Sequence, residues 1–301
     1  MKHIQMTGGS GFVGQNFVKY FTSKGDRVTN ITRSELREIS FVGECDVFIH
    51  LAGKAHDLKK SSDENDYYEI NTELTKKIYD LYLSSNIKTF IYFSSVKAVA
   101  DSVDGTLTED IIPDPLTSYG LSKLYAEEYL LSKHLPPDKR LFIIRPCMIH
   151  GPGNKGNLNL LYQLVSKRIP YPLASFINKR SFLSISNLCF IIDKLIMDPA
   201  IPGGIYNVAD DESLSTNDLI KVIAETLGQT PKLWAVNSNV IRTISQLGDR
   251  LYLPLNSERL KKLTESYIVS NEKIKKTLNI SALPTSSRDG LTATIRSFRR
   301  S

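Results

Sequence analysis

The sequence predicts an α/β protein, a doubly wound parallel sheet with a smaller, mostly helical C-terminal lobe. Three observations predict it. The chain opens on a short apolar segment, residues 2–7, that runs directly into Gly8-Gly9-Ser10-Gly11-Phe12-Val13-Gly14 and an amphipathic stretch from Gln15 to Lys24. Short apolar runs then alternate with helix-period segments through the first half, the pattern of a parallel sheet. Beyond about residue 165 helical periodicity dominates. The boundary is therefore drawn between 1–165 and 166–301, with 180–197 expected to fold back onto the first unit. At 301 residues, 41% hydrophobic and 23% charged, the chain can bury a full core.

Composition removes several function classes. No N-terminal apolar signal segment and no run of eighteen apolar residues is present, so the expected compartment is the cytoplasm, with no integral membrane segment. Cys45, Cys147 and Cys189 are odd in number and lack metal-ligand spacing, which fits reduced core thiols and no metal. The net charge of +6 is spread along the chain rather than interleaved with aromatics, arguing against nucleic acid. The terminal Arg296, Arg299 and Arg300 read either as a frayed basic tail or as a weak peripheral contact with an anionic membrane surface.

In chain order, the first strand, glycine turn and helix start form a phosphate cradle, because free backbone N–H groups and the positive helix end face a ligand that glycine lets approach. The run reads either as G-x-G-x-x-G (Gly9, Gly11, Gly14) or as T-G-x-x-G-x-x-G (Thr7, Gly8, Gly11, Gly14), with Phe12 and Val13 inside the same turn. A second strand, Arg27 to Ile31, ends in Thr32-Arg33, about where an NAD site carries an acid for the ribose 2′-hydroxyl. Arg33 there suits a 2′-phosphate, so NADP is expected ahead of NAD. Asp46 to Leu51 is a buried strand ending in Leu51-Ala52-Gly53 at the same crevice, and little room separates it from the second strand. A polar segment, Lys59 to Asp66, precedes a helix from Tyr68 to Ser84 containing Asn71. Strand Thr89 to Phe93 ends in Ser94-Ser95, placing Ser95 to bind a substrate oxygen.

Three Tyr-x-x-x-Lys spacings occur. Tyr20/Lys24 continues an apolar stripe with Phe17 and Phe21, and Tyr129/Lys133 lies at a helix end before Pro136-Pro137. Tyr119/Lys123 follows a Pro-rich loop at the first turn of a helix. There the spacing stacks phenol and ammonium on one face, so that the Lys charge favours the phenolate. Strand Leu141 to Ile144 then enters a segment, Arg145 to Asn157, too rich in Gly and Pro for regular structure. Helices follow at 158–167, 187–197, 216–227, 238–250 and 271–278, with a strand-like 180–185.

These motifs, in this order, resemble the extended short-chain dehydrogenase/reductases, the nucleotide-sugar epimerase, dehydratase and reductase family with a Rossmann fold. The resemblance rests on Thr7 to Gly14, His50-Leu51-Ala52-Gly53, Ser94-Ser95, Tyr119 with Lys123, and Arg145-Pro146 through Gly151-Pro152-Gly153. It implies that Ser95 holds the substrate oxygen, Tyr119 is the acid/base, and Lys123 lowers the Tyr pKa and binds the nicotinamide ribose. It implies substrate-diphosphate contacts from Asn157 and Arg180, more weakly from Arg259, and a homodimer through the Tyr119 helix and its neighbour. The dehydratases carry Asp-Glu directly after the active-site Thr; Val96-Lys97 after Ser95 argues against dehydration. The expected function is NADP-dependent reduction of a UDP-4-keto-6-deoxy-N-acetylhexosamine at C4 in surface polysaccharide biosynthesis. The alternatives are a UDP-N-acetylhexosamine 4-epimerase and, more remotely, a non-catalytic cofactor-sensing module.

Overall fold

The computed structural model describes residues 1–38, 43–54, 63–154, 157–251 and 256–299. Its strands are β1 (His3–Thr7), β2 (Arg27–Ile31), β3 (Val47–His50), β4 (Thr89–Phe93), β5 (Thr106–Leu107), β6 (Arg140–Pro146), β7 (Met148–His150), β8 (Phe182–Ser184), β9 (Gly204–Val208) and β10 (Ile268–Val269). The helices are α1 (Phe12–Ser23), α2 (Arg33–Arg37), α3 (Glu64–Tyr67), α4 (Leu74–Leu83), α5 (Ser118–Ser132), α6 (Asn157–Ser166), α7 (Ile185–Met197), α8 (Thr216–Thr226), α9 (Ser238–Leu251), α10 (Ser257–Thr264), α11 (Glu272–Thr277) and α12 (Ser287–Phe298).

Six strands form one sheet in the order β2-β1-β3-β4-β6-β9, every pairing parallel. Every residue of β3 and β4 is buried, as expected of strands covered by helices on both faces. The chain steps from β1 to β2 on one side and then to β3 on the other. That reversal opens a crevice at the carboxyl ends of β1 and β3, where the Gly8 and Leu51 turns meet. Phe17 and Phe21 of α1 anchor one helical layer, edge to face at 5.7 Å. A second core, including Leu158, Val165, Leu219, Ile223, Leu260 and Ile295, builds the C-terminal lobe.

The doubly wound sheet is thus as the sequence predicts, and several local expectations are corrected. The sheet takes its sixth strand, β9, from beyond the 180–197 segment, next to α7 in the main core. α1 begins at Phe12, inside the glycine run, because Gly11 in extended geometry starts it without a side-chain cap. The Gly- and Pro-rich segment contains β7, which pairs with β8. α12 is a well-packed helix that buries Leu291 and Ile295 one turn apart, so Arg296 sits in its last turn rather than in a frayed tail. Arg300 and Lys59 lie outside the described residues. No described helix is long and apolar enough to cross a membrane.

Candidate active site

The turn after β1 is shaped for close approach by a ligand. Gly8 has φ +73°, and a Cβ there would lie 2.8 Å from the Ala52 nitrogen. A Cβ at Gly14 would meet the Gly8 carbonyl oxygen at 2.4 Å. Only glycine lets the β1 turn, the β3 turn and α1 converge. With no side chain capping α1, its first N–H groups and positive helix end remain available to a pyrophosphate, with Phe12 and Val13 in that first turn. Asn30, at the end of β2, fixes the turn by accepting from the Gly9 N–H at 2.8 Å. Sequence reasoning passed over Asn30; its one signal is a polar residue ending a strand beside a glycine turn.

A hydroxyl relay fixes the β3 side. Thr7 accepts from the Ala52 N–H at 3.0 Å and contacts His50 Nδ1 at 2.7 Å, while His50 Nε2 lies 3.0 Å from Thr75. Thr75 in turn donates to the Asn71 carbonyl at 2.7 Å. This chain assigns the proton to His50 Nε2. Burial, and next the Lys123 charge, push the His50 pKa down to about 3, so the ring stays neutral. Asn71 sits in a π-helical turn between α3 and α4, accepts from the Lys54 N–H at 2.8 Å and donates to Ser122 at 3.0 Å. It ties the Leu51-Ala52-Gly53 turn to the helix bearing Tyr119 and Lys123.

α5 begins where the sequence places it. Thr117 caps it, accepting from the Gly120 N–H at 3.2 Å, and Asp101 holds the incoming loop through Leu116 and Thr117. A Cβ at Gly120 would meet the Lys97 carbonyl at 2.5 Å, so this glycine brings the start of α5 against the Ser95 turn. Ser95 is buried and caps a short 3-10 turn, Val96–Ala98. Tyr119 is raised above the ordinary phenol range by burial, while a hydrogen bond with Ser95 acts in the opposite sense. The Tyr67 ring stands edge-on to Tyr119 at 6.1 Å.

Lys123, one turn further along α5, is buried. Its ammonium donates to the Phe93 carbonyl at 2.8 Å and lies 5.0 Å from the Tyr92 ring centre. Burial pushes its pKa down to about 8, against the opposing pull of Glu127. In this arrangement the Tyr119 phenol is raised, not lowered, because burial is the largest influence on it. Glu127, one further turn along α5, is buried and receives Arg145 Nε at 3.0 and 3.1 Å as well as the Ser94 hydroxyl. That ion pair joins α5, β4 and β6 beneath the serine turn. Of the other two Tyr-x-x-x-Lys spacings, Tyr129/Lys133 faces Asp80 on the surface and Tyr20 rests against the main core.

Arg180 lies just before β8, bridging Leu214 and Tyr267 and donating from Nε to the Glu265 carbonyl at 2.9 Å. Asn157 opens α6, its side chain lying outside what the structure describes, as do Lys155 and Gly156. Arg259 is exposed on α10. That helix borders an open groove of about 620 Å³ through Ser257, Leu260, Lys261 and Thr264, facing Phe176, Arg242 and Gln246. Arg33 is exposed at the first position of α2, where Thr32 and Glu35 form a capping box and the Glu35 carboxylate accepts from the Thr32 N–H at 2.6 Å.

A phosphate-cradling turn at the switch point of a parallel sheet, beside a Ser, Tyr and Lys cluster, defines a nucleotide-dependent oxidoreductase of the doubly wound class. The chain belongs to the NAD dependent epimerase/dehydratase family, whose model matches residues 4–209. It is 34% identical over 256 residues to a UDP-glucose 4-epimerase of Vibrio cholerae, spanning 75% of this chain and 76% of that one. It is 27% identical over 247 residues (75% and 73%) to the N-acetyl-alpha-D-glucosaminyl-diphospho-ditrans,octacis-undecaprenol 4-epimerase of Escherichia coli O157:H7. A GDP-6-deoxy-D-mannose reductase of Pseudomonas aeruginosa is 24% identical over 245 residues (74% and 80%). Among solved structures, RMD from P. aeruginosa complexed with NADPH aligns over 100% of both chains with TM-score 0.76 at 18% identity. The protein is an enzyme of the nucleotide-sugar epimerase and reductase kind.

Proposed function

We propose that the enzyme is an NADP-dependent 4-ketoreductase of a UDP-4-keto-6-deoxy-N-acetylhexosamine, serving surface polysaccharide assembly in the cytoplasm. The observation that carries this reading is the end of β2. Arg33 stands at the start of α2, and the neighbouring Glu35 carboxylate is engaged by Thr32, leaving a cation rather than a free acid for the ribose. The glycine turn fits the pyrophosphate of such a cofactor, with Phe12, Val13, Leu51, Ala52 and Gly53 around it.

The bound nicotinamide would supply hydride to C4. Ser95 orients the carbonyl oxygen, and Tyr119 delivers the proton that completes the alcohol. A phenol held above its ordinary pKa rests protonated at neutral pH, the state a reducing enzyme needs at the start of its cycle. Lys123, fixed by the Phe93 carbonyl, supplies positive charge close to the phenolate that forms. Asn157, Arg180 and Arg259 are the proposed diphosphate contacts, and pairing through α5 and its neighbour is the proposed dimer.

A second reading, a UDP-N-acetylhexosamine 4-epimerase, is favoured by the names of the V. cholerae and E. coli relatives. It would use Ser95 and Tyr119 twice, removing hydride from C4 and returning it to the opposite face. Mixing the protein with the 4-keto substrate and NADPH, with NADH in parallel, separates the two. Stoichiometric loss of NADPH absorbance with a 4-hydroxy product is expected. Interconversion of UDP-N-acetylglucosamine and its 4-epimer, without net cofactor consumption, would replace the first reading with the second. A Tyr119→Phe variant that kept its biological function without turnover would instead indicate a cofactor sensor.

A further inference from the structure

The C-terminal lobe carries an apolar row that its own core does not cover. Helix α9 attaches to the lobe through Ile241, Ser245 and Gly248, which are buried at positions i, i+4 and i+7. Val240, Ile244 and Leu247 each directly precede one of these, and they are 50%, 44% and 48% exposed. Three aliphatic side chains therefore lie along one edge of α9 in water, one on each successive turn. Single exposed aliphatic residues need no explanation, but a row of them marks a surface made for contact.

The segment leading into α9 adds an aromatic group. Leu233 and Val236 pack against the second core. The Trp234 N–H donates to the Tyr171 carbonyl at 2.9 Å, and the Ser175 hydroxyl donates to the Val236 carbonyl at 2.6 Å, so the backbone here is fixed on the lobe. Trp234, the one tryptophan of the chain, is nevertheless 59% exposed.

Charge decides what such a face can meet. From Lys232 to Lys262 the sequence holds six basic and two acidic residues, a net +4 of the chain's +6. Arg242 and Arg250 are exposed on α9, and Arg259 and Lys261 on α10. Asp249, the single acid of α9, accepts from the Ser257 N–H at 2.9 Å and from its hydroxyl, and so serves to join α9 to α10. A face of this sign repels a second copy of itself. Nucleic acid would match the charge but would leave the aliphatic row in water. An anionic bilayer satisfies both, because its headgroups attract the cations while aliphatic and indole groups enter the headgroup boundary.

We propose that α9, with Trp234 just ahead of it, docks the enzyme on an anionic lipid surface. The contact falls on α9 rather than on the terminal arginines, and it holds whichever C4 chemistry the active site performs.

Titration of the protein with phosphatidylcholine vesicles containing about 30% phosphatidylglycerol tests this, read by sedimentation and by the emission of Trp234. The expected result is association with a shift of emission to shorter wavelength, none of it on phosphatidylcholine alone, and weaker association in about 1 M salt. The double variant Ile244→Ser, Leu247→Ser should weaken partitioning about tenfold and Arg250→Gln about fivefold, with NADPH affinity as the control for folding. Absence of vesicle binding overturns the proposal, as does binding that the double variant leaves unchanged. Self-association without vesicle binding, abolished by the same double variant, would assign the row to a second copy and overturn it as well.

Discussion

Two regions flank the Ser94-Ser95 turn, and both bury charge in opposite ways. On the Ser94 side, Glu127 and Arg145 neutralise each other through multiple hydrogen bonds, with relative exposures of 1% and 2%. On the Ser95 side, the Lys97 ammonium donates to the Asp101 carbonyl and lies over the Tyr267 ring. A charge matched within the fold serves the fold. The first cluster ties α5, β4 and β6 together beneath Ser95 and Tyr119; the second ties the Ser95 turn to Tyr267.

The largest expected effect separates these two roles. Glu127→Ala leaves the Arg145 guanidinium buried without its counter-charge and should cost about 3–5 kcal/mol of stability. Lys97→Met removes a half-buried ammonium that donates only to a neutral carbonyl and lies over the Tyr267 ring, so it should cost much less. Denaturant unfolding of both variants without ligand checks this; equal destabilisation would erase the distinction. Arg33→Ala comes next. If Arg33 meets a 2′-phosphate, the preference for NADPH over NADH should fall about tenfold, as expected for a charge-assisted contact, measured as the ratio of kcat/KM values.

The pH profile sharpens the Glu127 side further. Lys123 is cationic below its pKa of about 8, a value depressed by burial and supported by the Glu127 charge. Activity should therefore decline as pH rises through about 8. Glu127→Gln removes that support and should move the alkaline limb to lower pH, whereas an unchanged limb would show that Lys123 does not sense Glu127. The smallest effect belongs to the exposed Lys88–Asp138 pair, where Lys88→Ala should leave the denaturation midpoint unchanged.

How much was legible in the sequence follows the same division. The cofactor side depends on backbone geometry within short stretches, and glycine is its visible mark; Gly8, Gly11 and Gly14 placed the turn and the switch point. Ser95, Tyr119 and Lys123 were legible because a strand end and a helix start announce themselves through local pattern. Lys97, Arg180 and Tyr267 come together only through contacts spanning the whole fold, and no local period brings them into register. β9 was hidden because one strand among helices adds little periodicity, and α12 because Ser, Arg and Thr surround its two deeply buried aliphatic residues. The net shift on Tyr119 is upward because burial, which no spacing displays, is its largest influence, while the Lys123 ammonium is held by the Phe93 carbonyl.

The central claim is that this site delivers hydride to a sugar C4 and closes the cycle with a proton from Tyr119. Incubation of the enzyme with the UDP-4-keto-6-deoxy sugar and NADPH deuterated at both nicotinamide C4 positions tests it most directly. One deuterium at product C4 for each NADPH oxidised, abolished by Tyr119→Phe, is the predicted result. No NADPH oxidation with the keto sugar, together with interconversion of UDP-N-acetylglucosamine and its 4-epimer in a parallel incubation without deuterium entering C4, would contradict it.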